Sequence, residues 1–398
     1  MAGFLFPDDP IFWFQTQRAF GAASYGAADF GEVLTTAQRI TAGDYDSWRE
    51  EWTATAKRVE DEAREMLADG HTISARDGLL RAMTYWRSAE FFTRDREPHF
   101  DGRELYERSA QCFQDAMKYQ EPAVVPVDIP YDGTTLNGYL YTSPKPGPQP
   151  TVIIHTGFDG TAEEMWIDAA CSAQAHGYTV LAFDGPGQPG PRYRDGLVFR
   201  PDWEHVVTPV VDFLIEQPGV DPDRIALLGN SMGGWLAPRA AAFEHRIKAL
   251  LAIDGVYDFG ASLAVLLAGE DGPKLLEGDD VALEQAIEKQ TAASTASKWA
   301  ARNGMWCFGI DTPAALLRNM QEYTLAGGIA EQIQCPTYVG KAESDMFFPG
   351  QPEQLLQHLT APATLATFTD AEGAGSHCQG GAKRLLNQRE FNWLDGVL

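Results

Sequence analysis

The segment best suited to chemistry in this 398-residue chain is Gly229-Asn230-Ser231-Met232-Gly233-Gly234. It fits G-x-S-x-G, with a strand-like run, Ile225 to Leu228, before it and a helix-forming run, Trp235 to Phe243, after it. A serine between a strand and a helix sits on a strained turn. Flanking glycines remove the side chains that would clash, so the hydroxyl stands exposed at the end of the strand. The helix N-terminus adds the positive end of a dipole. A serine hydroxyl is a weak nucleophile at neutral pH and needs a base. For such a serine the chain order is nucleophile, acid, histidine, which leaves His245, His358 and His377 as candidates. His245 precedes the next strand, at the end opposite the serine, and His358 falls in a helical run. His377 lies in the loop AEGAGSHCQGG after the last strand-like run, where glycines let the chain fold back over the serine, so it is the expected base.

The acid must orient that histidine and stabilise its charged form. Asp345, five residues past the strand-like run Pro336 to Gly340, is the expected acid. Asp254, at the end of the run Ala249 to Ile253, is its rival, with a turn-capping role in the pocket floor as its structural alternative. Glu343 and Asp370 are near in sequence but less well placed. An attacked carbonyl also needs two preorganised N–H donors. Met232, directly after the serine, supplies one; the loop His155-Thr156-Gly157-Phe158-Asp159-Gly160 supplies the other, with Phe158 preferred and Gly157 the alternative. His155 reads as a buried structural residue. Asp184-Gly185-Pro186-Gly187 lacks the Gly-Lys-Ser/Thr ending of a phosphate loop and reads as a tight turn near the pocket.

These groups need a scaffold that brings strand ends to one edge. From Glu121 onward, short apolar strands alternate with helices, the pattern of βαβ units with helices on both faces of a mostly parallel sheet. Val124 to Ile129 and Leu136 to Thr142 are strand-like and joined by Asp132-Gly133, a hairpin signal. Residues from about Val256 to Ala330 interrupt the alternation with helical patterning. The first 120 residues are helical: Trp48, Trp52, Ala56, Val59 and Ala63 form one apolar stripe, and Ser74 with Asp77 signals the start of the next helix. The expected organisation is an N-terminal helical lid over residues 1–120 and an α/β domain over 121–398 carrying a helical cap insertion at about 256–330.

Composition narrows the partners. Hydrophobic residues make up 44% of the chain, which is ordinary globular usage. With 31 Lys and Arg against 56 Asp and Glu, the net charge of −25 repels phosphate, so neither nucleic acid nor an anionic membrane is an expected partner. No apolar run approaches ~18 residues, so no membrane span is expected. The N-terminal segment lacks a basic leader and carries Asp8 and Asp9, which argues against a signal peptide. The five cysteines form no CxxC pair, so neither a disulfide framework nor a zinc site is indicated. A cytoplasmic protein is the resulting expectation.

The elbow GNSMGG, the loop HTGFDG, the turn FDGPGQ and the segments RNGMWCFGI, CPTYVGKAESDMFFPGQ and EGAGSHCQGGA together resemble α/β hydrolases with an N-terminal helical domain. The resemblance is to the group that includes fungal yellowish-green-pigment polyketide-shortening hydrolases and 2,6-dihydroxypseudooxynicotine hydrolase. It implies a Ser-Asp-His triad at Ser231, Asp345 and His377. It further implies cofactor-free hydrolysis of a carbon–carbon bond beside a ketone in an aromatic or polyketide-like small molecule. A homodimer is an expectation that rests on the resemblance alone. Two features depart from the pattern: Thr156 stands where a second glycine is common, and Gln188 to Pro191 make a less regular turn. Aromatic residues such as Trp299 and Trp306 suit a flat apolar ligand, although core packing accounts for most of them equally well. An esterase, lactonase or acyl-transferring enzyme with the same triad is the alternative function. A non-catalytic ligand-binding module is the remote one.

Overall fold

The computed structural model describes residues 4–95, 100–278 and 280–398. Five helices come first: α1 (Pro10–Ala22), α2 (Phe30–Ala37), α3 (Tyr45–Ala68), α4 (Thr72–Glu90) and α5 (Arg103–Met117). The Asp9 carboxylate caps α1 by accepting from Phe12 N at 3.3 Å, and Pro10 opens the helix where its missing N–H costs nothing. α3 and α4 fold back on each other through Gly70, whose φ of 84° lies in the left-handed region. Trp48, Trp52 and Trp86 fill the seam between them, fully buried. The indole N–H of Trp48 donates to Ser88 O at 2.7 Å and that of Trp86 to Glu60 Oε2 at 2.8 Å. α4 begins at Thr72, two residues before the signal at Ser74, and its N-cap His71 makes no side-chain capping bond. Burial of Ala75, Leu79 and Met83 against its neighbours sets the start of this helix in place of the expected cap.

The remainder is a single eight-stranded sheet: β1 (Val124–Tyr131), β2 (Thr134–Tyr141), β3 (Gln149–His155), β4 (Thr179–Phe183), β5 (Val220–Asn230), β6 (Ile247–Ile253), β7 (Thr337–Ala342) and β8 (Ala363–Phe368). The strand order is β1-β2-β4-β3-β5-β6-β7-β8. β1 and β2 form the hairpin expected from Asp132-Gly133, both of which take positive φ, 41° and 80°. β2 also meets β4 antiparallel, and every pairing from β4 through to β8 is parallel. β5 lies between β3 and β6, so the chain leaving β3, β5, β6 and β7 emerges along one edge beside a central strand. Residues Thr151 to His155 and all of β4 are buried, as continuous apolar runs covered on both faces must be.

Helices connect these strands. α6 (Cys171–His176) follows β3 through a π-helical turn at Trp166–Ala170; α7 (Pro189–Asp195) and α8 (Glu204–Ile215) follow β4; α9 (Gly233–Ala241) follows β5. Among the described residues five α-helices fall between β6 and β7: α10 (Phe259–Ala268), α11 (Gly272–Leu275), α12 (Asp280–Ala293), α13 (Thr295–Phe308) and α14 (Pro313–Met320). α15 (Gln351–His358) joins β7 to β8, and α16 (Lys383–Leu394) closes the chain. Among the described residues no helix is long and apolar enough to cross a membrane.

Candidate active site

Ser231 lies between β5 and α9 with φ of 63°, a left-handed conformation that a residue with a side chain adopts only where its surroundings enforce it. Two close approaches enforce it. A Cβ on Gly229 would stand 2.0 Å from Gly233 O, and one on Gly157 would stand 2.5 Å from Met232 N. Glycine at these two positions lets the elbow close on itself and lets the loop after β3 press against it.

His377 follows β8 in a short 3-10 turn, His377–Gln379. Its Nε2 is 3.0 Å from Ser231 Oγ. Its Nδ1 faces two carboxylates. Asp345 Oδ1 and Oδ2 lie at 3.1 and 3.0 Å, and Asp254 Oδ2 lies at 2.9 Å. The sequence offers these two acids as rivals, yet both reach the histidine. The reason is topological: β6 and β7 are adjacent and parallel, pairing Leu250 with Thr337 and Ala252 with Val339, so the residues that follow each strand leave the sheet side by side. Asp345 is steadied by the backbone N–H groups of Phe347 and Phe348, which donate to its Oδ1 at 2.8 and 3.2 Å. Asp254, at φ 68° and fully buried, accepts from Cys378 N at 2.8 Å and from the Cys378 thiol at 2.9 Å. Glu343 and Asp370 bond instead to each other's loops: Asp370 N donates to Glu343 Oε2 at 2.7 Å.

Burial opposes the charged form of His377, but Asp345, Cys378 and Asp254 together outweigh it and hold the imidazole well above its usual pKa. For Asp254, burial pushes the carboxyl up, and the pull of His377 overcomes it, leaving the group lowered. The Cys378 thiol is pushed up to about 12, first by burial and then by Asp254, so it acts as an S–H donor and does not compete as a thiolate nucleophile. His155 is brought down to about 4 by burial. Its ring lies between Phe183 and Trp203 with Nδ1 2.9 Å from Thr156 O, an arrangement suited to packing.

The loop after β3 carries one of the two N–H groups at issue, that of Phe158, and the elbow after β5 carries the other, that of Met232. Neither Phe158 N nor Met232 N donates a hydrogen bond among the described residues. Phe158 O accepts from Asn303 Nδ2 at 2.9 Å, which fixes that peptide from the α13 side. Gln188, in the segment that departs from the expected turn, is fully buried and ties the next loop to this one. Its Oε1 accepts from Gly185 N at 2.6 Å and its Nε2 donates to Thr156 O at 2.8 Å.

Asp159, the residue after Phe158, is gripped by the N-terminal helices. Arg18 Nη1 lies 2.6 Å and Arg87 Nη2 3.1 Å from its carboxylate, while Arg87 and Arg94 each donate to its carbonyl at 2.7 Å. Glu164 accepts from the same Arg18 and Arg87, at 2.8 and 2.7 Å. Burial would raise the Asp159 carboxyl, but these guanidinium groups bring it down to about 2.

A cavity opens above Ser231 and His377. Phe14 from α1, Phe158, Phe259 from α10, Trp299 from α13, Phe347 and Phe348 form its aromatic wall. Phe14, Phe347 and Phe348 also pack on the His377 ring, at 5.5, 4.8 and 5.4 Å between centroids. Trp306, expected at the pocket, does not line it. Its ring packs on Tyr193 at 4.8 Å, with the guanidinium groups of Arg94 and Arg192 at 5.5 and 5.2 Å. Gly157 and Asp254 serve the elbow and the histidine from behind the lining. Sequence reading missed Phe14, Gln15 and Arg18 of α1, and also Asn230, whose amide donates to Asp168 at 2.8 Å. The only local signal for the first three is the Asp9-Pro10 helix start. Asp254, His377 and Cys378 bring ligand-type atoms within 4.8 Å of one another. Both His377 nitrogens already face Ser231 and the carboxylates, so the cluster forms a closed hydrogen-bond network.

A half-buried serine at a strand-helix elbow, a histidine over it and a loop backed against it are the parts of one known architecture, and the comparisons agree. Residues 151–380 match the family model described as the alpha/beta hydrolase family. A Fusarium hydrolase, LUC6, is 35% identical over 98% of this chain and 97% of its own length. The 20-hydroxy-prefusarin hydrolase FUS2 of Gibberella moniliformis is 34% identical over 97% of this chain and 96% of its own. The crystal structure of 2,6-dihydroxy-pseudo-oxynicotine hydrolase superposes with a TM-score of 0.74 at 23% identity, covering 95% of both chains. With the sheet order, the elbow and near full-length relatives in agreement, the chain belongs to the alpha/beta hydrolase family.

Proposed function

We propose that this protein is a serine hydrolase that cleaves a carbon–carbon bond beside a ketone in an aromatic or polyketide-like small molecule. The observation that carries the reading is the hydrogen-bonded chain from Ser231 through His377 to Asp345, lying under an aromatic wall. His377 Nε2 takes the Ser231 proton as Oγ attacks the carbonyl carbon. The N–H groups of Met232 and Phe158 receive the developing oxyanion. Asp345 keeps Nδ1 protonated and stabilises the imidazolium, with Asp254 facing the same nitrogen. The imidazolium returns its proton to the carbanion that leaves as an enolate, and water, activated by His377, then clears the acyl-enzyme. The helices of residues 1–120 and 256–330 act as the lid, with Phe14, Phe259 and Trp299 excluding water from the attack. Relatives named as hydrolases of fungal origin, one acting on 20-hydroxy-prefusarin, support an apolar small molecule as substrate.

An esterase or lactonase is the second reading, because its acyl half-reaction uses the same groups. Purified protein offered a 1,3-diketone and an aryl ester separates the two: the proposal expects turnover of the diketone, and turnover of the ester alone would overturn it.

A further inference from the structure

Two side-chain N–H donors on the cavity wall have no partner among the described residues. Gln15 on α1 lines the cavity at 7% exposure, and its Nε2 is buried and unpaired. Turning the amide over does not help. Its Oε1 accepts from Arg18 Nη1 at 3.3 Å, and a flipped amide would set N–H against N–H. Arg18 is itself fixed by Asp159 and Glu164, so the orientation of Gln15 is set by a guanidinium that is already held in place. Trp299 on α13 also lines the cavity, and its Nε1 is buried and unpaired. An indole offers a donor only, and α1 packs directly against α13. Buried donors are rarely left without an acceptor, so a ligand oxygen is the natural partner for both.

The charge of the lining narrows the class. The two cations that line the cavity are each ion-paired: Arg18 with Asp159 and Glu164, Lys383 with Asp168 at 2.7 Å. An oxygen uncharged in the ground state suits such a wall better than a carboxylate. The proposed reaction supplies one. When the bond between the attacked carbonyl carbon and the α-carbon breaks, its electron pair passes to the α-carbon and onto a second carbonyl oxygen. Met232 and Phe158 serve only the first oxygen.

We propose that Gln15 Nε2, assisted by Trp299 Nε1, binds the second carbonyl oxygen of a 1,3-dicarbonyl substrate and stabilises the enolate that leaves. The inference rests on the carbon–carbon reading given above. In the step itself the Ser231 Oγ–carbon bond forms, the serine proton passes to His377, and the carbon–carbon bond breaks. The enolate then takes that proton at carbon and departs as a ketone. Water converts the acyl-serine to a carboxylic acid and free Ser231, which balances the reaction. Arg18 polarises the Gln15 amide and acts as a positioning residue.

The test is kcat/KM for benzoylacetone and for phenyl acetate with the native protein, Gln15→Leu, Trp299→Phe and the double variant. The ester has no second carbonyl, so the diketone-to-ester ratio isolates the enolate step. The ratio should fall about tenfold or more in Gln15→Leu and further in the double variant. Trp299→Phe keeps an aromatic ring in place while removing the N–H and should lower the ratio by itself, which covers the case of a poorly folded Gln15 variant. Ratios unchanged in both single variants, with native diketone turnover intact, would overturn this inference alone. Native protein that cleaves the ester but no diketone would overturn the carbon–carbon reading and this inference with it.

Discussion

The sheet edge and the helical roof contribute to the same cavity by different means. At the edge, Ser231 and Asp254 directly follow β5 and β6, and both take left-handed backbone conformations that their neighbours enforce. Asp345 follows β7 closely and is held by two backbone N–H groups. The position of each of these side chains is set by a few bonds of local chain. In the roof, α1, α10 and α13 bring Phe14, Phe259 and Trp299 to the cavity by packing whole helices, and no local motif places them. The two regions meet at Asp159, where arginines from α1, α4 and the chain just after α4 grip the loop that carries Phe158. The edge can therefore keep its chemistry while the roof varies, but only as long as that grip keeps the loop in place.

Substitutions at the edge should have the largest effects. His377→Ala should lower kcat/KM by about 10⁴-fold while leaving the thermal midpoint near the native value, since in the proposed mechanism the base acts with the nucleophile as a unit. A loss smaller than about tenfold would break the account of the edge. The paired carboxylates come next. Because each still faces Nδ1 when the other is gone, Asp345→Asn and Asp254→Asn should each cost about 10- to 100-fold, and the double variant about 10⁴-fold. Their pH profiles sharpen the point. The base works when neutral, and the carboxylates favour the charged form, so kcat/KM should rise with pH around a midpoint above 6.5. Removing either carboxylate weakens that pull and should move the midpoint down. A midpoint that moves up would contradict the arrangement.

The joint between the regions should show an effect on stability as well as on rate. Asp159→Ala strips a carboxylate from the buried Arg87 and the half-buried Arg18 and should cost about 3–5 kcal/mol in denaturant unfolding, together with a modest loss of kcat. The sign with pH follows from the shift. The folded carboxyl titrates at about 2, below its ordinary 3.8, so its contribution is present above about pH 4 and is lost as pH falls towards 2. The native protein should lose stability over that window more steeply than the variant does. Parallel acid curves would show that the grip carries no weight.

The same contrast explains what the sequence made legible. The elbow could be read because G-x-S-x-G between a strand and a helix states both a residue type and a backbone shape, and the strand alternation supplied the parallel sheet. The position of His377 could be read from chain order and a glycine-rich loop. The pairing of Asp254 with Asp345 was not legible as a pair, because it arises from the adjacency of β6 and β7, which are separated in the chain by five helices. Trp306 was placed at the pocket on residue type alone, and tertiary packing against Tyr193 and two arginines put it elsewhere. Arg18 belongs to a helix with a weak apolar stripe and takes its meaning from Asp159, 141 positions away in the chain, while Gln15 is oriented by Arg18.

The central claim is that Ser231 is the nucleophile and that His377 activates it. Mass spectrometry after treatment with a fluorophosphonate tests this most directly, comparing the native protein with Ser231→Ala and His377→Ala. The account predicts one adduct per chain, mapped to the peptide carrying Ser231, absent from Ser231→Ala and formed far more slowly in His377→Ala. An adduct on another residue, or equal labelling of the native protein and Ser231→Ala, would contradict it.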